Sequence, residues 1–163
     1  MDNRADGVRE AYPLFQAEGG GSKPTSALDL FFAECPLERA VELNRLWHSR
    51  LPKFSGSFSK VCYSAEHEGT FFATAIWTNP VARMLPQQSY LELRRLAIAA
   101  DAPKNTASRM LAWMARDIRK RFREIERLIS YQDCDVHTGT IYKAAGWLET
   151  VRSTGGEWTR PSR

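Results

Sequence analysis

The sequence predicts a single α/β (α+β) domain with a mixed central sheet flanked by helices. Runs rich in β-branched and aromatic residues alternate with stretches of helical apolar spacing, and Gly and Pro mark the boundaries between them. The 163 residues are 43% apolar, which is enough for one buried core. The domain is predicted to occupy residues 28–163, and the polar residues 1–27, which contain the run GGGS, to form a flexible arm.

The first predicted elements are a helix and a hairpin. The apolar spacing becomes helical after Pro36, a residue suited to a helix start, and His48 closes this helix. Two runs dominated by β-branched and aromatic residues, 58–64 and 70–78, predict paired strands. The turn AEHEG joins them, and Gly69 provides the bend.

A third strand and a long helix follow. Residues 90–98 predict the strand, and the helix is predicted to run to about Phe122. The side chain of Asn105 or Thr106 is the expected cap. Apolar residues then recur every three or four positions, which places them on one core-facing side of this helix.

The segment YQDCDVHTGTIYKAAGW predicts a strand end, an acidic turn and a helix. The preceding buried strand is predicted to end at Tyr131, Asp135 to cap the helix and Gly146 to stop it. A last hairpin is predicted from 147–151 and 157–160.

The acidic turn is the strongest functional signal of this segment. Ligands of α/β folds usually bind at the carboxyl ends of strands. Asp133 stands at such an end, and Tyr142 of the following helix is predicted to overlook the same edge. We therefore expect a catalytic site here, with Asp133 as a general base or an orienting residue.

Charge and cysteine content restrict the class of protein. The formal net charge of +4 and a pI of about 9.1 favour an anionic partner without requiring one. The three cysteines lie far apart with no CxxC pair, which argues against a zinc ribbon or disulfide framework and suits a reducing compartment. The polar start of the chain is not a signal peptide, so we expect a cytoplasmic protein without a membrane partner.

The order of helix, hairpin, strand, helix, strand and helix resembles the fold of the GCN5-related N-acetyltransferase superfamily over residues 36–160. The resemblance implies an acyl-CoA site, for acetyl-CoA or a related acyl donor, formed by the third strand and the long helix. The string IYKAAGW matches the tyrosine followed by a Gly-aromatic pair in that superfamily, which implies that Tyr142 is a general acid. The residues assigned to the donor are Leu96, Ile98, Lys104, Asn105, Thr106, Ala107, Ser108 and Arg109.

The sequence departs from the superfamily at the start of the long helix. The superfamily has a glycine-rich loop there, whereas this chain has KNTAS. Free N–H groups at a helix start and the charges of Lys104 and Arg109 can still hold a phosphate of CoA, of another anionic donor or of DNA. The alternative is that Asn105 and Thr106 only cap the helix.

Three separate blocks resemble the Mom-type DNA-modification proteins of phages: WHSRLPK, DAPKNTASRML and SYQDCDVHTGTIYKAAGW. This resemblance implies conversion of adenine to N6-carbamoylmethyladenine in phage DNA, which blocks host restriction enzymes. It implies double-stranded DNA as substrate and the cytoplasm of a bacterial host as location. Iron has been linked to the family, so an iron or other divalent ion held by His48, Asp133, Asp135 and His137 is a further candidate.

The predicted catalytic residues are Tyr142, Asp133, Arg94 and Glu92. Glu92 and Arg94 alternate onto one face of a regular strand and are expected to look at the cleft. Arg94 could orient a carboxylate or carbonyl, and Glu92 could accept a proton. A structural Glu–Arg pair is the alternative.

The residues predicted to contact nucleic acid are His48, Arg50, Lys53 and Tyr63. Lys60, Phe54 and Phe58 lie nearby in sequence, and aromatic rings can stack on a base extruded from the duplex. Tyr63 faces the cleft or packs in the core. The basic residues of the long helix and just beyond it either meet duplex phosphates or form a solvated face: Arg116, Arg119, Lys120, Arg121, Arg123 and Arg127.

Three functions stay open at this point. The first is a transferase that modifies adenine N6 in DNA, whose weakly nucleophilic amino group requires a general base and an activated donor. Simple attack on acetyl-CoA would give N6-acetyladenine, so a carbamoylmethyl product requires another donor or a second chemistry. The second function is a conventional acetyl-CoA-dependent N-acetyltransferase for a small amine or protein. The third is a non-catalytic DNA-binding relative.

Overall fold

The structure, a computed structural model, describes residues 22–134 and 137–151. A short 3-10 turn, Ala27–Asp29, precedes the strands and helices. The elements of the described part are β1 (Phe31–Glu34), α1 (Leu37–Trp47), β2 (Val61–His67), β3 (Thr70–Thr78), β4 (Tyr90–Ile98), α2 (Thr106–Arg121), β5 (Arg127–Ser130) and α3 (Thr140–Ala144).

The five strands form one sheet in the order β1-β2-β3-β4-β5. All neighbours are antiparallel except β4 and β5, which are parallel, so the predicted mixed sheet is confirmed. The hairpin turn is tighter than expected. Glu68 and Gly69 both have positive φ, 49° and 80°, and this two-residue turn lets β2 extend to His67.

Helices cover both faces of the sheet. The larger core includes Tyr63 and Trp77 of the sheet with Met110 and Met114 of α2. A smaller cluster contains Cys35, Ala40, Cys62 and Ile76, packed against further residues of α1. Since both faces are covered, the side chains from Val61 to Ala65 are all buried, without the in–out alternation of a half-exposed strand.

Strand β1 lies at the sheet edge, and the sequence analysis did not predict it. It has four residues, of which Phe32 is buried while Phe31 is 64% exposed. A run this short carries little periodicity of its own. Its extended conformation is secured by pairing with β2, from Phe31 opposite Glu66 to Glu34 opposite Tyr63.

Several predictions for the last segment are wrong. β5 stops at Ser130, and Tyr131 is 66% exposed rather than part of a buried strand. α3 begins at Thr140 with Gly139 at its N-cap, so Asp135, which lies outside the described residues, is not the cap. Gly146, with φ of 82°, follows the C-cap and ends the helix as predicted.

The two ends of the chain are described only in part. Most of the predicted arm lies outside the described residues, yet Pro24 and Ala27 are buried, so packing begins before residue 28. Residues 147–151 form no strand, and the partner run 157–160 of the predicted hairpin lies outside the described part. No described helix is long and apolar enough to cross a membrane. The three cysteines are free.

Candidate functional site

Strand β4 continues beyond the end of β5, and a cavity opens along the unpaired part of its edge. Their pairing runs from Tyr90 opposite Arg127 to Leu93 opposite Ser130, whereas β4 continues to Ile98. Residues 94–98 therefore present a strand edge without β5 beside it. This edge lines a cavity of about 800 Å³, called the main cavity below. Its other walls are the end of α1 with residues 48–51, residues 130–133, and residues 137–142.

A β-bulge lies in this edge. Ile76 pairs with Arg95 and Trp77 with Leu93, so Arg94 is the extra residue in β4. Arg94 lines the main cavity and its guanidinium lies 3.2 Å from Glu92.

Glu92 does not reach the main cavity, contrary to the prediction that it faces the cleft with Arg94. It is 4% exposed, and its second carboxylate oxygen accepts a hydrogen bond of 2.9 Å from the N–H of Val81. With Arg94 on one oxygen and Val81 on the other, Glu92 forms the structural pair that was the alternative. The pair satisfies a carboxylate that would be costly to bury alone.

Tyr142 lines the main cavity with its hydroxyl group held in place. The hydroxyl lies 2.8 Å from the Oγ of Ser130, the last residue of β5, and Trp147 packs edge-on against the ring at 5.5 Å. Burial raises the pKa of Tyr142, and the Ser130 hydrogen bond offsets part of that effect. The phenol is therefore protonated at neutral pH and can donate a proton.

Asp133 and Arg50 form an ion pair on the main cavity. The pair joins the segment after α1 to the segment after β5, so it links two walls of the site. Both side chains are about half exposed. The guanidinium holds the carboxylate at the cavity, a position compatible with both roles predicted for Asp133.

His48 lines the same cavity at the end of α1. Its Nδ1 accepts a hydrogen bond of 3.2 Å from the N–H of Leu51. Burial lowers the pKa of His48, and the nearby charges of Arg95 and His137 lower it further. The ring is therefore neutral at pH 7, and because Nδ1 accepts from Leu51, its Nε2 carries the proton.

The start of α2 does not have the predicted side-chain cap. Asn105 adopts a left-handed conformation, φ 69°, and makes no capping hydrogen bond. The Thr106 hydroxyl donates to the carbonyl of Pro103 at 2.7 Å, and Thr106 is 1% exposed. Asn tolerates the left-handed region better than most residues, so Asn105 provides the bend for which other proteins use glycine. The first N–H groups of α2 have no acceptor within the helix.

The predicted donor residues divide between two cavities. Leu96, Ile98 and Ala107 line the main cavity. A smaller cavity of about 200 Å³ at the start of α2 is lined by Ile98, by Asn105, Thr106, Ala107 and Ser108, and by residues of α3. Lys104 and Arg109 line neither cavity, and the Arg109 guanidinium instead lies 5.9 Å from the centre of the Phe32 ring.

Of the residues predicted to contact nucleic acid, Tyr63 is in the core. It is fully buried, its hydroxyl donates to Asp117 at 2.7 Å, and its ring meets Trp113 edge-on at 5.4 Å. Burial and the Asp117 contact raise the pKa of Tyr63. The prediction that it contacts DNA is therefore wrong. Lys53 is exposed, and its carbonyl accepts a hydrogen bond of 3.1 Å from Arg95.

The basic residues of α2 are partly paired. Arg121 contacts both Glu34 and Asp117, and Lys60 from the neighbouring strand end lies 3.0 Å from Glu124. These contacts reduce the positive charge that α2 and its surroundings offer to a phosphate backbone.

The metal prediction gains no support from the described residues. Among residues 22–134 and 137–151, no three His, Cys, Asp or Glu side chains are grouped to hold an ion. His48, His137 and Asp133 line the main cavity without forming such a group, and Asp135 lies outside the described part.

Sequence reasoning missed polar side chains that line the main cavity, notably Ser130, Gln132 and Thr138. Ser130 holds the Tyr142 hydroxyl, and the Oε1 of Gln132 is buried without a partner in the described structure. Their position at or just after the carboxyl end of a strand is a signal that would have identified the first two.

Comparisons with known proteins identify a family by sequence and a fold by structure. The chain matches the model of a family described as the Mom protein family over residues 71–160. This range contains β3 from its second residue, together with β4, α2, β5 and α3. No curated protein matches the chain by sequence.

Solved structures of acetyltransferases match the fold. The aminoglycoside acetyltransferase AAC(6')-Iy, in complex with a CoA-containing bisubstrate analog, matches with a TM-score of 0.58 and 11% identity over 80% of this chain and 99% of that one. An aminoglycoside acetyltransferase from an uncultured soil metagenomic sample, with sisomicin, matches at 0.61 and 10% over 82% and 98%. A possible acetyltransferase from Clostridium difficile 630 matches at 0.58 and 8% over 81% and 99%. The predicted acetyltransferase-like fold is thereby confirmed.

Proposed function

We propose, since this chain belongs to the Mom protein family, that it is a transferase that modifies the N6 amino group of adenine in double-stranded DNA. The modification would protect phage or prophage DNA from host restriction. The observation that carries the proposal is the main cavity, where the β4 edge, the Tyr142 hydroxyl and the Arg50–Asp133 pair meet.

The donor in this proposal is acetyl-CoA or a related acyl-CoA. Residues 94–98 offer a strand edge that can pair with the amide groups of an extended pantetheine arm. The first N–H groups of α2, beside Ala107 and Ser108, suit the phosphates of such a donor. The CoA-containing analog bound by AAC(6')-Iy supports the same donor class.

The acceptor base must leave the duplex, because adenine N6 is hydrogen-bonded within it. Its lone pair is delocalised into the ring, so a base has to remove a proton as the new bond forms. Asp133, held by Arg50, is the proton acceptor of this proposal, and neutral His48, whose Nε2 carries the ring proton, can donate a hydrogen bond to the acceptor base. Arg94 lies at the bulge, where its charge can stabilise a developing oxyanion.

Tyr142 is the proposed general acid. When N6 attacks a thioester carbonyl, an N–C bond forms and the C–S bond breaks, leaving a thiolate. The protonated phenol of Tyr142 supplies the proton that this thiolate takes up. That transfer yields an N6-acyladenine, whereas a carbamoylmethyl group attaches through a methylene carbon and requires a donor with an amide nitrogen.

Mass spectrometry of nucleosides tests the proposal. DNA from cells that express the wild type, Tyr142→Phe or the matched control Tyr90→Phe is digested to nucleosides. The Tyr90 ring lies against the Arg127 guanidinium. We expect a heavier deoxyadenosine in the wild type and in the control, and its loss in Tyr142→Phe. The mass also separates an acyl from a carbamoylmethyl product.

Unmodified DNA from cells with abundant folded protein would contradict the proposal. Turnover of acetyl-CoA with small amines by that purified protein would then assign it to the conventional acetyltransferases.

A further inference from the structure

A second cavity of about 560 Å³, called the aromatic cavity below, lies next to the main cavity. The segment before β2, the end of β3 and the middle of β4 form its walls. The two cavities share Arg94 and Arg95, so they meet at the β4 bulge. The argument below concerns Phe54, Phe58, Lys60, Arg94 and Arg95.

The lining of the aromatic cavity is cationic. None of the described residues that line it is Asp or Glu. Arg94 and Lys60 have carboxylate partners outside the lining, Glu92 and Glu124. Arg95 makes no ion pair with the described residues: its guanidinium donates to the carbonyls of Arg94 and Lys53, and its buried Nε has no partner. An anion is therefore the complementary ligand.

The same cavity presents aromatic rings. Phe58 is 84% exposed, so most of its apolar ring meets solvent in the free protein. Phe54 is half-buried, and the Arg95 guanidinium lies 5.9 Å from its ring centre. Exposed rings that alternate with cations are the arrangement with which proteins bind unstacked bases and the phosphates between them.

We propose that the aromatic cavity binds an unstacked nucleotide of the acceptor DNA. The base lies against Phe58, and its phosphate faces Arg95, the cation of the described lining that makes no ion pair. The inference rests on the proposed function, which provides DNA as the acceptor. The aromatic cavity would hold one nucleotide of the strand, while the adenine to be modified enters the main cavity, which adjoins it at Arg94.

Fluorescence anisotropy with a labelled single-stranded deoxyadenosine oligonucleotide at low salt tests this site. Because a stacked base is lost, we expect Phe58→Ala to weaken binding by about 5- to 50-fold, and Phe58→Trp to retain it. The matched control is Phe31→Ala. Phe31 is also an exposed ring, 64% exposed, but lies on β1 at the far edge of the sheet. Its removal should leave binding unchanged.

A second arm separates DNA from the adenine nucleotide of CoA, which has the same chemistry. Calorimetric titration with CoA should give the same affinity for the wild type and Phe58→Ala. Weaker CoA binding with unchanged oligonucleotide binding would assign the cavity to the donor and overturn the inference. A wild type that fails to bind the oligonucleotide, or Phe58→Ala binding within about twofold of it, also overturns the inference.

The nucleoside assay keeps the two proposals apart. Modified DNA together with unaffected oligonucleotide binding in Phe58→Ala would remove the inference and leave the proposed function standing. Unmodified DNA together with weakened binding in Phe58→Ala, but not in Phe31→Ala, would leave a nucleotide-binding cavity in a protein with another acceptor.

Discussion

Arg50 and Asp133 form an ion pair on the main cavity although 83 positions separate them in the sequence. Arg50 follows α1, and Asp133 follows β5, the last strand of the sheet. A half-exposed pair of this kind contributes little to folding, since solvent screens it and both side chains lose freedom. Its position on the cavity is where the proposed function requires a carboxylate held in place.

Asp133→Asn distinguishes a role of this carboxylate in the reaction from a role in folding stability. We expect the free energy of unfolding to change by less than about 1 kcal/mol, because the pair is half exposed, and the nucleoside modification to fall strongly. Denaturant unfolding and nucleoside mass spectrometry measure the two effects.

The control for Asp133→Asn is Glu42→Gln, the same kind of change in the surface pair of Arg39 and Glu42, which are 2.8 Å apart. It should leave the modification intact. Full modification by Asp133→Asn would remove Asp133 from the site.

His48 gives the protein a dependence on mildly acidic pH. Its folded-state pKa lies below the ordinary 6.5, mainly through burial, so the folded protein resists protonation of this ring. Its contribution to stability is present above pH 6.5 and is lost as pH falls through the lower folded value. Wild-type stability should therefore decrease below pH 6.5 more steeply than that of His48→Gln.

Thermal unfolding of the wild type and His48→Gln across this pH range checks the prediction. An equally steep decrease in His48→Gln would assign the titration to another group.

Strong local signals made much of the fold predictable. Strands β3 and β4 have the predicted bounds, since glycine, proline and polar turns enclose runs of β-branched and aromatic residues. The long helix α2 ends one residue before the predicted position. The edge strand β1 was not predicted because its conformation depends on pairing with a distant strand.

The site was harder to predict, because its details depend on tertiary contacts. Asp133 and Tyr142 line one cavity, as the strand-end rule led us to expect. The placement of Tyr63 failed because helices cover both faces of the sheet, so no alternation tells core from cleft. The predicted placement of Glu92 in the cleft was wrong because contacts with Arg94 and with the N–H of Val81 hold its carboxylate away from the cavity. The alternation of a regular strand does not predict these contacts.

Tyr63→Phe tests the core assignment. The Tyr63 hydroxyl donates to Asp117, which keeps a second contact with Arg121 at 3.2 Å. We expect a loss of about 0.5–1.5 kcal/mol in the free energy of unfolding and no change in oligonucleotide binding. Weaker DNA binding at unchanged stability would restore the DNA-contact interpretation.

Alkaline pH provides a second measurement on Tyr63. Its folded-state pKa is raised above the ordinary 10.0, so its contribution is present below pH 10.0 and is lost as pH rises through the folded value. The stability of the wild type should fall more steeply above pH 10.0 than that of Tyr63→Phe.

Asn105 and its left-handed backbone lead to a prediction with opposite outcomes for two small residues. With φ at 69°, glycine fits without strain, whereas alanine keeps the Cβ of asparagine and loses the short polar side chain through which asparagine offsets part of the cost of about 1–2 kcal/mol in this region. Asn105→Gly should therefore keep the wild-type melting temperature, and Asn105→Ala should lower it. Asn79→Ala, at an exposed asparagine without positive φ, is the control and should change little.

The same pair of variants examines the donor site, because this bend shapes the start of α2. CoA titration should give near wild-type affinity for Asn105→Gly and weaker binding for Asn105→Ala, since strain at the bend displaces the N–H groups beside Ala107 and Ser108. If both variants bind CoA equally well while only Asn105→Ala has a lower melting temperature, the bend serves folding alone. The start of α2 would then not hold the donor phosphates.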